Sequence, residues 1–170
     1  MAQRMTITHG LAPVFDERSK VLVLGTMPSP KSREVGFYYG HPQNRFWKIL
    51  SALFAGPIPE DIEGKRTWLL EHRIALWDVL SSCSIEGASD ASIEEAEAND
   101  LGFIFEAAPI AQVFCTGASA YKYYSELCEP SVGRVAIKLP SPSAANASWS
   151  LERLVDAYQP IKQVLQGDWN

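Results

Sequence analysis

Cysteine and histidine are scarce in this chain of 170 residues, with three of each. Cys83, Cys115 and Cys128 are widely spaced and odd in number, and no CxxC pair occurs. That argues against a disulfide framework, a zinc site or an iron–sulfur cluster. His9, His41 and His72 form no HExxH and no closely spaced His/carboxylate set, so no catalytic metal or other cofactor is expected. No apolar run approaches the roughly 18 residues of a membrane span. The N-terminus lacks the apolar core and small-residue cleavage site of a signal peptide, which makes the cytoplasm the default location. Net positive charge is missing too: the formal charge is −5. This counts against broad, non-specific nucleic-acid binding.

Sequence motifs are as informative where they fail. Gly25-Thr26-Met27-Pro28-Ser29-Pro30-Lys31-Ser32 ends like a phosphate loop, but GxxxxGK[ST] requires glycine where Pro30 stands, and proline offers no N–H to a phosphate. Gly117-Ala118-Ser119-Ala120-Tyr121 fails GxSxG at its last position.

What the chain does contain is 46% hydrophobic and 21% charged residues, ordinary values for a globular protein. Its length fits one domain over 1–170, with no repeat or linker. Much of the acid lies between Glu86 and Asp100, and without that segment the rest is slightly positive. Field depends on this distribution rather than on the sum.

Four apolar segments read as strands: Lys20–Leu24, Ile74–Val79, Ile110–Cys115 and Val135–Leu139. Between and after them, helical patterns cover Gln43–Phe54, Ile62–Glu71, Ala91–Ala98, Leu101–Ala107, Ala118–Cys128 and Ser148–Leu165. Ser81–Ser84 reads as a loop, residues 1–20 as an irregular lead-in with one short strand at most, and Asn99-Asp100 as a helix cap. Strand and helix in alternation predict an α/β fold, a three-layer αβα sandwich around a mainly parallel four-stranded sheet. Two proline/serine loops, after the first and fourth strands, would then lie at one sheet edge, where such folds bind ligands.

The first of these loops leads into Phe37-Tyr38-Tyr39 and His41-Pro42-Gln43-Asn44-Arg45. Three consecutive aromatics cannot all point inward, so at least one is expected to be partly exposed. Beside Gly40, such a ring suits stacking on a flat base. His41 to Arg45 can equally be a plain helix start.

Tyr39-Gly40-His41-Pro42-Gln43-Asn44-Arg45-Phe46-Trp47 resembles the [FY]-[AG]-H-P-x-N-R-F-W run of mismatch-specific members of the uracil-DNA glycosylase superfamily. The longer KSREVGFYYGHPQNRFW is still more similar to the hypoxanthine-DNA (deoxyinosine) glycosylase branch. Trp77-Asp78-Val79-Leu80 and Ala98-Asn99-Asp100 extend the likeness. The resemblance implies the αβα fold. It also implies a monofunctional, cofactor-free glycosylase that acts as a monomer on DNA, hydrolysing the N-glycosidic bond of a flipped-out deaminated base. Hypoxanthine comes first, with uracil or xanthine next. A mismatch-directed uracil glycosylase and a non-catalytic nucleobase-binding member are the alternatives.

Two positions depart from the superfamily pattern. Met27 stands where an acid or amide usually positions water, and Leu139 where a polar residue usually begins the second motif. The hypoxanthine branch resembles this chain in both losses and implies Asn44 as the catalytic residue. Its amide would stabilise charge on the departing base, orient water or read the base edge. Gly25, Thr26, Met27, Pro28, Tyr39 and Gly40 are then the implied base-binding residues, Tyr39 by stacking. Ser141, Pro142, Ser143, Asn146, Lys31 and Arg33 are the implied DNA contacts.

Overall fold

The computed structural model describes residues 3–167. After β1 (Arg4–Thr8), the first apolar run forms β2 (Val21–Gly25), buried at every position. Burial on both faces is the mark of a central strand in a parallel sheet. α1 (Pro30–Val35), α2 (Phe46–Leu53) and α3 (Ile62–Glu71) lead to β3 (Ile74–Asp78). β4 (Leu80–Glu86), β5 (Glu94–Ala98) and α4 (Gly102–Ala107) come next. β6 (Gln112–Thr116), α5 (Ala118–Tyr123), α6 (Glu129–Val132) and β7 (Ala136–Leu139) follow, and α7 (Leu151–Ala157) and α8 (Gln159–Leu165) close the described chain.

The parallel sheet has the order β3-β2-β6-β7, with Leu22 opposite Ala75 on one side and Val113 on the other. Helices flank it as expected: α3 packs on β3, α8 on β2, and α5 on β6 and β7. The outer edge of β3 is covered where Val14 and Leu76 exchange both backbone hydrogen bonds at 2.9 Å. Such cover removes an edge that would otherwise pair with another chain. None of the described helices is long and apolar enough to cross a membrane.

A second sheet, β1-β4-β5, is antiparallel and was not expected. Ser81–Ser84, read as a loop, lies inside β4, where Cys83 and Ile85 are buried opposite Ile7 and Met5. Ala91–Ala98, read as a helix, is a 3₁₀ turn over Asp90–Ser92 followed by β5. Alanine and glutamate favour helix locally, but pairing with β4 and the cross-strand ion pairs of Arg4 to Glu86 (3.5 Å) and Glu94 (3.6 Å) prevail. Glu95, at φ +53°, takes up the irregular register between the strands.

Other differences concern element ends. Pro30 occupies the first turn of α1, where its missing N–H costs nothing, so the proline loop holds a short helix between the Ser29 cap and Gly36 at φ 83°. α2 begins at Phe46 rather than Gln43. The helix after β6 passes through a π turn at Tyr124–Cys128 before α6. The expected Ser148–Leu165 helix breaks at Tyr158, with Pro160 in the first turn of α8.

Candidate active site

The loops after β2 and β7 do meet, and the cleft between them measures about 970 Å³. Gly25, Thr26, Met27, Pro28, Tyr39 and Asn44 form one wall, and Ser141, Pro142, Ser143 and Asn146 another, with Arg33 also in the lining.

The β2 end of the cleft is rich in unused donors. Val79 and Leu80 donate to the carbonyls of Gly25 (2.8 Å) and Thr26 (3.1 Å), so the crossing from β3 to β4 holds this turn in place. The N–H groups of Thr26 and Met27 make no hydrogen bond to a protein acceptor among the described residues. Backbone donors left free in this way are rare unless water or a ligand satisfies them.

Asn44 adds a third donor. Its Oδ1 accepts from the Phe46 backbone N–H at 2.9 Å, capping the start of α2. The bond to an N–H identifies the oxygen, and it leaves the Nδ2 amide group for the cleft.

Tyr39 is fixed on two sides. Its ring stacks on Phe46 with centroids 3.9 Å apart and planes 14° from parallel, and its hydroxyl shares a 2.7 Å hydrogen bond with Thr116. Burial first, and then the charge of Asp78, push that hydroxyl far above the ordinary tyrosine range, so it stays protonated. The backbone at Tyr39 lies in the left-handed region (φ 52°), held there by the turn that follows α1. Gly40 lies outside the cleft lining. A Cβ there would meet Val35 Cγ2 at 2.4 Å, and its N–H donates to Ser32 Oγ at 2.9 Å, so this glycine lets the turn pack on α1. Lys31 also lies outside the lining and pairs with Glu34 at 3.4 Å.

Arg45 organises the second loop, a role that sequence alone does not give it. Its guanidinium donates to the carbonyls of Ser143 (2.8 Å), Asn146 (3.1 Å), Pro142 (3.4 Å) and Trp149, and its backbone N–H to Pro142 (3.0 Å). Within the loop, the Ser141 and Ser143 hydroxyls accept the N–H groups of Ser143 and Ala145, which leaves both O–H protons free to donate. Asn146 spends its Nδ2 on the Ser141 carbonyl at 3.0 Å. Leu139, at the base of this loop, is buried core.

Behind Gly25 lies a pair absent from the expected site. Asp78 Oδ2 accepts from His9 Nε2 at 2.9 Å, both side chains almost fully buried, and His9 Nδ1 accepts the Leu11 N–H at 3.2 Å. Desolvation pushes the Asp78 carboxyl up, against the pull of His9. A Cβ on residue 25 would stand 2.5 Å from Asp78 Oδ1, so only glycine fits. Asn99 lies outside this cleft: its Nδ2 donates to the carbonyls of Asp78 (2.9 Å) and Leu80 (3.1 Å), and Asp100 instead caps α4 through the Gly102 N–H.

A parallel-sheet protein with a donor-lined cleft between two proline/serine loops defines an α/β base- or nucleotide-binding class. Comparison with known proteins narrows that class. The family model of the uracil DNA glycosylase superfamily matches residues 12–166, and the chain belongs to that superfamily. A hypoxanthine DNA glycosylase of Methanosarcina acetivorans is 33% identical over 148 residues, covering 86% of this chain and 93% of the relative. Another of that designation, from Methanosarcina barkeri, is 33% identical over 102 residues, covering 59% of this chain and 65% of its own. A solution NMR structure from M. acetivorans, described as a candidate uracil DNA glycosylase, aligns with a TM-score of 0.76 at 29% identity. That alignment covers 93% of this chain and 99% of the other. The chain is accordingly a DNA glycosylase, a hydrolase of N-glycosidic bonds.

Proposed function

We propose that this protein is a monofunctional DNA glycosylase that excises hypoxanthine, with uracil and xanthine as secondary substrates. It works as a single domain and a monomer, needs no cofactor, and resides in the cytoplasm. The observation that carries the reading is the set of free donors in one wall: Asn44 Nδ2 and the N–H groups of Thr26 and Met27. Deamination replaces an exocyclic amino group, a donor, with a carbonyl, an acceptor. Donors in the wall pair with that carbonyl, whereas the undamaged base would set donor against donor, a mismatch that sites built for hydrogen bonding reject strongly. The same donors stabilise the negative charge that grows on the departing base.

Asn44 is the catalytic residue in this reading, Tyr39 the stacking surface, and Gly25, Thr26, Met27, Pro28 and Gly40 the frame of the base site. Ser141, Ser143 and Arg33 contact backbone phosphates, Pro142 and Asn146 shape that contact, and Lys31 adds charge at its margin. Neutral hydroxyl donors suit a chain of net charge −5. Mispaired deaminated bases also leave the stack at lower cost. The names of the two Methanosarcina relatives favour hypoxanthine over uracil.

The test uses duplex oligonucleotides carrying one hypoxanthine, uracil, xanthine or adenine, followed by alkaline cleavage of abasic sites. Strand breaks at hypoxanthine, and none at adenine, are expected. Breaks at uracil alone would replace this reading with a mismatch-directed uracil glycosylase, and binding without breaks would replace it with a non-catalytic member.

A further inference from the structure

Hydrolysis needs more than a place for the departing base. A water must reach C1′ of the sugar, and something must take its proton. The wall of amide donors cannot do this, since N–H groups are not proton acceptors. Met27 is a thioether, and the Tyr39 and Thr116 hydroxyls are committed to one another. Two carboxylates line the cleft, Asp78 and Asp90. Asp78 is buried and held by His9, as described above.

Among the described residues, Asp90 is not tied to a histidine or any other cation. It opens the 3₁₀ turn between β4 and β5, keeps part of its surface in solvent while lining the cleft, and makes no ion pair among the described residues. The turn that carries it is tied down. Ser92 Oγ accepts the Glu86 N–H at 2.8 Å and donates to the Ser89 carbonyl at 2.7 Å, and Ser89 N–H donates to the Glu86 carbonyl at 3.1 Å. Gly87, Ala88 and Ser89 line the same side of the cleft. The Asp90 carboxylate faces the Thr26 hydroxyl, at the strand end where the free N–H groups lie. The second sheet thus brings to this end of the parallel sheet an acid that no histidine holds.

Resting on the glycosylase reading, we propose that Asp90 is a catalytic carboxylate that holds the attacking water and accepts its proton. The water oxygen bonds to C1′ as the glycosidic C–N bond breaks, and the electron pair of that bond leaves with the base. The proton passes to Asp90 and from there to the released base anion, which restores the carboxylate. No other reactant enters the balance.

The groups that face Asp90 set its titration. Desolvation pushes its carboxyl up, Asp78 on β3 adds to this, and the Thr26 hydroxyl opposes it. Cys83 on β4 also lies within its field, and Arg33 on α1 lines the same cleft. Excision therefore falls as pH drops through a value above that of an ordinary aspartate.

The test measures single-turnover excision across pH for the wild type, Asp90→Asn and Asp90→Glu. Binding is read separately on a duplex carrying 2′-fluoro-2′-deoxyinosine, whose fluorine slows hydrolysis. Asp90→Asn is expected to lose about 100-fold or more in rate, to keep wild-type binding and melting temperature, and to lose the acidic limb of the pH profile. Asp90→Glu is expected to recover part of the rate and the limb. An Asp90→Asn rate within about threefold of wild type, well short of what general-base catalysis contributes, overturns the proposal. So does an acidic limb that persists in that variant. A wild type that cleaves none of the deaminated bases removes the glycosylase reading itself, and the Asp90 step with it.

Discussion

At the scale of single residues, the informative feature of Asn44 is that its two ends do different things. The oxygen caps α2 through Phe46, and the nitrogen faces the cleft. Asn44→Asp preserves an acceptor for the cap while removing the donor, so it separates folding from chemistry. We expect Asn44→Asp to melt like the wild type and to lose about 100- to 1000-fold in excision, the usual cost of one oxyanion-type donor. Retained activity would instead give Asn44 the task of orienting water through its oxygen. Asp78 makes a second test, this time of stability. Folding raises its pKa, so the folded state binds its proton more readily than the unfolded chain. Its contribution is therefore most favourable below the unfolded value of about 3.9 and declines as pH rises through the raised folded value. Asp78→Asn removes that slope, so in denaturant titrations the variant should gain on the wild type as pH rises from the unfolded value through the raised folded one. A constant difference between the two would remove the burial penalty from the account.

Elements explain which parts of the site could be read in the sequence. The Tyr39–Trp47 string is contiguous, so its family resemblance and its place after the first strand of the parallel sheet were visible in the linear pattern. Arg45 was not, because its acceptors lie 97 to 104 residues away and are carbonyls, which carry no side-chain signature. The β4–β5 hairpin was hidden for another reason. Alanine and glutamate in β5, and serine in β4, have propensities that point away from strand, and only pairing with β1 and β4 overrides them. Asp90 was lost with it, since an acid in an acidic stretch just before an expected helix reads as a solvated helix end. The parallel sheet, by contrast, announced itself through apolar runs buried on both faces. Arg45→Ala tests the long-range clamp: amide exchange over residues 141–149 should accelerate, while β2, β3 and β6 keep their protection. Uniform acceleration across the sheet would mean that Arg45 supports global stability rather than this loop.

Charge distribution makes a prediction for the molecule as a whole. The net charge of −5 conceals a division between the acidic β4–β5 region and a cleft with a few cations. Within the second sheet, Glu86 and Glu94 are partly neutralised by Arg4. Among cleft-side cations, Arg45 is spent on carbonyls and Lys31 pairs with Glu34, so the proposed phosphate contacts in the cleft lining fall to Arg33 and Lys138. A protein that displaces one or two counterions has a shallow salt dependence, because the slope of log K against log salt is about −0.9 per phosphate neutralised. Binding to a hypoxanthine duplex, followed by anisotropy over a series of salt concentrations, should give a slope of about −1 to −2. Arg33→Ala should bring that slope about one unit closer to zero while leaving the preference among bases unchanged, since phosphate contacts position and do not specify. A slope steeper than about −4 would mean that the DNA footprint extends beyond this cleft to cations elsewhere on the surface. On the proposed reading, serine hydroxyls, backbone donors and the captured base set the affinity, and a cleft with few free cations lets the damaged base decide where the protein stays bound.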